Sequence, residues 1–233
     1  MRIAVIPARG GSKRIPRKNI KHFADKPIIT HAIDVAKSCG LFDHIVVSTD
    51  DEEIAAIAKQ YGAEVPFVRP AELSDDYTPT VPVIAHAITE CQTLGWPIDK
   101  VCCIYPCVPF LQASDLVNAL SLLEMKATGY VFTITEFPSA IQRALRQLPS
   151  GSMEPFYSQY TSTRTQDLEP AYYDAGQFYW GFAQTWIEKK TLHKYGVGLV
   201  IPSLRVVDID TKEDWQRAEL MYAVFSDANN NDE

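Results

Sequence analysis

Short apolar runs alternate along this chain with stretches in which apolar residues recur at helical spacing. Ile3-Ala4-Val5-Ile6, leading into Pro7, reads as a buried strand of the parallel-sheet kind. Ala8 to Asn19 breaks the pattern with Gly, Pro and basic residues and reads as a loop. Pro27 then opens a helix over Ile28 to Ser38, with Ile28, His31, Ala32, Val35 and Ala36 on one face and Gly40 as its stop. Ile45 to Ser48 is a second strand, and Thr49-Asp50-Asp51-Glu52-Glu53 supplies the cap and acidic first turn of a helix that Gly62 closes. Val65 to Val68 reads as a third, shorter strand. Thr78 to Gly95 is helical after its prolines, Val101 to Tyr105 is a fourth strand, Ser114 caps a helix through Glu124, and Tyr130 to Ile134 is a fifth strand.

Strand, helix and strand at this spacing predict βαβ units, and so an α/β fold with a mainly parallel sheet and helices on both faces. From Glu136 to Ala175 the periodicity weakens over a stretch too long for an ordinary loop. Residues 136–175 are therefore expected to leave the sheet as an excursion that forms a lid or a subunit contact. Alternation resumes at Gln177 to Trp180, Gly198 to Ile201 and Val206 to Asp210, followed by a helix from Lys212 to Val224 and a polar, frayed tail from Ser226 to Glu233. Neither a repeat nor a linker divides the chain, so 1–233 reads as a single domain.

With 233 residues, 46% hydrophobic and 22% charged, the chain can bury a core without staples and is neither a disordered tail nor a collagen-like repeat. No apolar run reaches the roughly 18 residues of a membrane span, and the N-terminus lacks a signal-peptide core. Cys39, Cys91, Cys102, Cys103 and Cys107 have no zinc spacing and are expected to be reduced and buried in a cytoplasmic protein. The net charge of −7 conceals an asymmetry. Arg2, Arg9, Lys13, Arg14, Arg17, Lys18 and Lys21 fall within the first 24 residues, which contain no acid; the remainder sets fifteen cations against all 29 acids. Such an acidic body does not suit nucleic acid, whose affinity for proteins comes mainly from phosphate neutralisation. A short basic segment on it suits a pocket for a small polyanion.

That segment, Pro7-Ala8-Arg9-Gly10-Gly11-Ser12-Lys13-Arg14-Ile15-Pro16-Arg17-Lys18-Asn19, directly follows the first strand, and in open α/β sheets ligands bind beyond the carboxyl ends of strands. Gly10 and Gly11 would let the backbone approach an anion and turn N–H groups toward it. Arg9, Lys13 and Lys18 add full charges. The loop matches neither G-x-G-x-x-G nor G-x-x-x-x-G-K-[ST], which disfavours a dinucleotide oxidoreductase and a P-loop ATPase. Asp208-Ile209-Asp210, read as the end of a strand, would carry both carboxylates on one face and offer a hard-oxygen seat for Mg²⁺. The same residues suit a solvent-facing edge with Asp210 capping the next helix. Arg69 can serve as a nucleotide contact or as an ordinary ion pair. Arg164, Gln166, Tyr172, Tyr173, Gln177 and Tyr179 can line a hydroxyl-reading pocket or an interface. The five histidines have no ligand spacing.

Ile6-Pro7-Ala8-Arg9-Gly10-Gly11-Ser12-Lys13, Pro16-Arg17-Lys18-Asn19, Val47-Ser48-Thr49-Asp50, Arg69-Pro70-Ala71-Glu72 and Asp208-Ile209-Asp210-Thr211 together resemble the CMP-sialic acid synthetases, the acylneuraminate cytidylyltransferases. Tyr105-Pro106-Cys107-Val108-Pro109-Phe110, Arg164 to Tyr172 and Asp174 to Trp180 are most similar to the pseudaminic acid branch. The resemblance implies a Rossmann-like nucleotidyltransferase fold and the coupling of CTP to a nine-carbon sugar acid, giving the CMP-sugar and pyrophosphate, in a homodimer. It implies that Arg9 and Lys13 hold the triphosphate with Ala8, Gly10, Gly11, Ser12 and Lys18 around it. Asn19 and Arg69 would place the cytidine, and Asp208 and Asp210 would hold Mg²⁺ and assist loss of the sugar hydroxyl's proton. Tyr105, Arg164, Gln166, Tyr172, Gln177 and Tyr179 would meet the sugar. Synthetases of the N-acetylneuraminate, legionaminate or ketodeoxyoctonate kind, and a non-catalytic nucleotide-binding scaffold, are the competing expectations. Sialic acid enzymes typically have Gln-Pro-Thr-Ser-Pro-Leu-Arg where this chain has Tyr105 to Leu111, which points away from N-acetylneuraminate itself.

Overall fold

A computed structural model describes residues 1–230. In chain order the strands are β1 (Arg2–Pro7), β2 (His22–Phe23), β3 (Lys26–Pro27), β4 (His44–Ser48), β5 (Lys100–Ile104), β6 (Tyr130–Glu136), β7 (Leu145–Gln147), β8 (Met153–Pro155), β9 (Tyr172–Phe182) and β10 (Gly196–Val200). The helices are α1 (Ile28–Ser38), α2 (Glu52–Gln60), α3 (Thr80–Thr93), α4 (Ala113–Lys126), α5 (Ala183–Ile187) and α6 (Lys212–Asn230).

Six strands form the main sheet in the order β10-β6-β9-β5-β1-β4. Five run in one direction; β9 is antiparallel to both β5 and β6. β1 is an inner strand, paired on both sides and buried on both faces, which is why Ile3 to Ile6 read as a continuous apolar run. Alternate residues of the strand serve two cores. Ala4 and Ile6 pack with Ile29, Ala32 and Ile33 of α1, Ile54 of α2 and Leu116 of α4. Ile3 and Val5 pack with Ile84 and Ile88 of α3 and Trp186 of α5 on the other side.

A third cluster decides where the charged segments lie. Ile15 from the basic loop and Ile209 from between the two late aspartates share it with Phe23, Ile28, Phe110, Trp215 and Ala218. Each isoleucine is buried, so its flanking charges are carried to the same surface.

Several expected elements differ. Val65 to Val68 is not a strand: Glu64 makes one bridge to Val46, and Pro66 and Pro70 lack the N–H groups a ladder needs. Val206 to Asp210 joins no sheet, so the alternation there records burial of Ile209 rather than sheet pairing. Gln112, not Ser114, stands at the N-cap of α4. The excursion ends at Ala171, because Tyr172, Tyr173 and Asp174 already pair with Glu136, Thr135 and Ile134. Within it, β7 and β8 form a separate hairpin. α6 continues to Asn230, so the expected frayed tail is helical from Ser226 to there; the rest of that tail, 231–233, lies outside the described residues. The five cysteines are unpaired, but Cys39 and Cys107 are only partly buried. Among the described residues no helix is long and apolar enough to cross a membrane.

Candidate active site

A cleft of about 770 Å³ opens beyond the carboxyl ends of β1 and β5. The basic loop forms one wall. The Ala8 N–H donates to the Ser48 carbonyl at 2.9 Å, extending the β1–β4 pairing by one residue. The Gly10 N–H donates to Asp50 Oδ1 at 3.1 Å, so this amide serves a carboxylate of the protein and is not turned to the cleft. A Cβ at Gly10 would stand 2.5 Å from Asp51 Oδ2, whereas one at Gly11 would meet open space. Glycine is required at the first position by close approach and at the second by neither space nor backbone angle.

Arg17, in the left-handed region at φ 57°, grips the carboxylates of Asp51 and Glu53. Its guanidinium is the first cause that lowers the Asp51 carboxyl to about 2. Asp51 also caps α2, accepting the Ile54 N–H at 3.0 Å. The loop is thus anchored at its end to the start of α2.

The late aspartates form the adjoining wall. Lys18 Nζ donates to the Ile209 carbonyl at 2.7 Å and lies 3.3 Å from Asp210 Oδ1, while Arg14 reaches Asp210 Oδ2 at 2.8 Å. Asp210 does not cap α6. Thr211 does, its Oγ1 accepting the Asp214 N–H at 3.1 Å while the Asp214 carboxylate accepts the Thr211 N–H at 2.8 Å. This reciprocal cap leaves the Asp210 side chain to the cleft. Asp208 also lines it and has no cation within ion-pair distance among the described residues; partial burial and then the neighbouring Asp210 raise its carboxyl above the usual range.

Two neighbouring carboxylates, one of them without a cationic partner, suit a divalent cation that completes its shell with water and phosphate oxygens. Among the described residues no group of three or more His, Cys, Asp or Glu side chains gathers as a self-sufficient metal cage. The donor set fits Mg²⁺ held jointly with a nucleotide.

Arg69 pairs only loosely with a carboxylate and has donors to spare. It is 4% exposed, its Nε and one terminal nitrogen lack hydrogen-bond partners, and its nearest carboxylate, Asp50, stands 3.6 Å away. A buried guanidinium with spare donors beside a cleft is a seat for an anion.

Arg9, Ser12, Lys18, Asn19, Arg69, Tyr105, Asp208 and Asp210 line the cleft. Ala8, Gly10 and Gly11 do not line it, and Lys13 reaches over to Asp76 from an exposed position. The remaining expected sugar contacts do not line it within one chain. Arg164 pairs with Asp167 at 2.9 Å on the excursion, Gln166 lines a separate small depression there, and Tyr172 is exposed. Gln177 is buried and donates to the Arg205 carbonyl at 2.7 Å, while Tyr179 donates to Asp174 at 2.9 Å.

The cleft also contains residues that the sequence did not single out. Asp76 accepts from Arg9 at 2.6 Å and binds Lys13, and Arg9 also donates to the Asp75 carbonyl. Thr80, Asp174, Asp214 and Arg217 also line the cleft, beside Tyr173, which is among the expected pocket residues. The adjacent acids before Thr78-Pro79 were the available signal for Asp75 and Asp76; for Asp174 there was none beyond its place in an aromatic run.

A profile of the cytidylyltransferase family matches residues 3–147. The chain is 41% identical over 223 residues to the pseudaminic acid cytidylyltransferase of Campylobacter jejuni, covering 95% of this chain and 96% of that one. It is 33% identical to the CMP-N,N'-diacetyllegionaminic acid synthase of Legionella pneumophila, covering 97% and 98%. Among solved structures, a CMP:2-keto-3-deoxy-manno-octonic acid synthetase in complex with CTP has the same fold, with a TM-score of 0.70, 14% identity, and coverage of 95% of this chain and 98% of that one.

Proposed function

This chain belongs to the cytidylyltransferase family, and on that premise we propose that it couples CTP to a nonulosonic acid, pseudaminic acid foremost, releasing pyrophosphate. The observation that carries the reading is the meeting of Arg14 and Lys18 with Asp210 across one cleft, which joins the polyanion loop to the twin carboxylates.

The sugar's anomeric hydroxyl attacks the α-phosphorus of CTP and pyrophosphate leaves in line. Negative charge builds on the phosphoryl oxygens and the leaving group, so the protein's task is positioning and neutralisation. Arg9, Lys13 and Lys18 take the phosphates, which requires Arg9 and Lys13 to release Asp76. Arg69 donates its spare N–H groups to the nucleotide, and Asn19, whose Nδ2 donates to the Arg9 carbonyl at 2.9 Å, ties the loop to the cytidine end. Asp208, the carboxylate without a cationic partner, accepts the proton of the attacking hydroxyl. Asp208 and Asp210 would hold Mg²⁺, which when bound supplies charge neutralisation at the phosphates and eases deprotonation of the hydroxyl. The enzyme works in the cytoplasm, consistent with five unpaired cysteines, and as a homodimer joined through its excursion, where Leu145, Met153 and Phe156 are more than half exposed.

Pyrophosphate release from CTP with pseudaminate, N-acetylneuraminate and legionaminate tests the reading. Release is expected only when a sugar acid is present, with the highest kcat/KM for pseudaminate. Asp208→Asn should lower kcat by on the order of 100-fold or more while the melting temperature holds. CTP binding without pyrophosphate release for every sugar acid, or an unchanged Asp208→Asn rate at saturating Mg²⁺, would overturn it.

A further inference from the structure

The cleft wall formed by β5, α3 and β9 is chemically unlike the walls described so far. Between the pairs Phe132–Tyr179 and Ile134–Asp174, two steps along β6 are matched by five along β9, so Ala175 to Phe178 bulge out of register with β6. Gly176, at φ 62°, makes the turn. The bulge presents Asp174 to the cleft.

Three donors pin this carboxylate. Tyr179 Oη donates to Oδ2 at 2.9 Å, His193 Nε2 stands 2.7 Å from the same oxygen, and the Gly176 N–H donates to Oδ1 at 2.8 Å. Two donors on Oδ2 and one on Oδ1 leave acceptor capacity on Oδ1. Neither lysine nor arginine pairs with Asp174 among the described residues, and 24% of its side chain is open to solvent. Beside it, the Tyr105 and Tyr179 rings lie 5.4 Å apart, and Tyr105 Oη is 2.7 Å from Thr80 Oγ1. Burial pushes the Tyr105 phenol up to about 12, so it keeps its proton at neutral pH.

A fixed carboxylate repels a triphosphate and the sugar's own carboxylate alike. Of the reactants, the parts that gain from it are those rich in N–H and O–H donors and free of negative charge: the ribose and cytosine amino group of CTP, and the hydroxylated, acylaminated body of the sugar acid, which offers the larger number of donors and is not served by Asn19 and Arg69. Because Tyr179, His193 and the Gly176 amide already hold Asp174 in place, accepting a further hydrogen bond requires little reorganisation. A substrate lacking that donor would leave a partly buried carboxylate under-satisfied, which is how a polar site discriminates most strongly.

We propose that Asp174 is a specificity-determining residue that accepts a hydrogen bond from an N–H or O–H of the sugar acid, with His193 and Tyr179 as its positioning residues. The proposal rests on the function given above and names the group that reads that substrate. It also gives Tyr179 a path to the sugar without lining the cleft itself.

The test is steady-state kinetics with pseudaminate as the probe, varying each substrate at saturation of the other. Asp174→Ala should raise the KM for pseudaminate about tenfold or more and leave the KM for CTP within about twofold. Asp174→Asn keeps the shape should the alanine variant fold poorly, and it should show the same split. His193→Ala should raise the sugar KM by a smaller factor that His193→Gln partly restores, which general destabilisation would not produce. A rise in the CTP KM with the sugar KM unchanged would assign Asp174 to the nucleotide instead and sink the proposal, as would no change in either. A wild-type enzyme inactive with all three sugar acids would overturn the function and this proposal together, whereas an active wild type with an unmoved sugar KM overturns this proposal alone.

Discussion

Gly10 shows how narrowly the basic loop is built at the residue scale. Its missing Cβ is the space taken by Asp51, and that carboxylate cannot yield because Arg17 and the Ile54 N–H hold it. Gly10→Ala should therefore destabilise the protein by about 1–3 kcal/mol and raise the KM for CTP. Gly11→Ala, which meets open space, should match the wild type in both. Equal behaviour of the two variants in melting and CTP-titration experiments would refute this division of labour. The sequence could not separate the two glycines, because the atom that excludes a side chain comes from a residue some 40 positions away. The same holds for Asp210. Its sequence suited a helix cap as well as a cleft ligand, and the Thr211–Asp214 cap removed the first role.

Among the elements, α2 ties the basic loop to the sheet. Asp51 is its cap and the partner of Arg17, so Asp51→Ala removes both a helix-end hydrogen bond and an ion pair. A loss of about 1–2 kcal/mol is expected at neutral pH, lowering Tm by roughly 2–8 °C for a chain of this size. The folded-state carboxyl titrates near 2, below its usual value of 3.8, so its contribution is complete above about pH 5 and fades as pH falls toward 2. The Tm gap between wild type and variant should narrow over that range. A gap independent of pH would mean that the ion pair contributes nothing. The cap was legible from Asp51-Glu52-Glu53, because a cap is a local pattern. The strand expected at Val206 to Asp210 was not real, because alternating burial looks the same in sequence whether or not a neighbouring strand supplies hydrogen bonds. Its start is held instead by Arg205, whose buried guanidinium grips Asp115 at the beginning of α4.

For the whole molecule, the excursion is the surface on which a second copy is expected to dock. Leu145, Met153 and Phe156 lie exposed on or beside the β7–β8 hairpin, and an apolar arm of this kind gains by burial against a second copy. Light scattering should give twice the 26.1 kDa chain mass, and Met153→Asp with Phe156→Asp should shift it toward the monomer. A monomer mass for the wild type would refute the dimer. Most of the alternation of elements, the sheet's main direction, the α2 cap and the charge of the two segments were determined by the sequence alone, since periodicity and local charge belong to neighbouring residues. Tertiary structure alone decided that Lys18 meets Asp210 across 192 positions of chain, that Asp76 occupies Arg9 and Lys13, and that a bulge turns Asp174 into the cleft. Those outcomes depend on burial of Ile15 and Ile209 in one cluster and on strand register, which are set by the packing of distant segments.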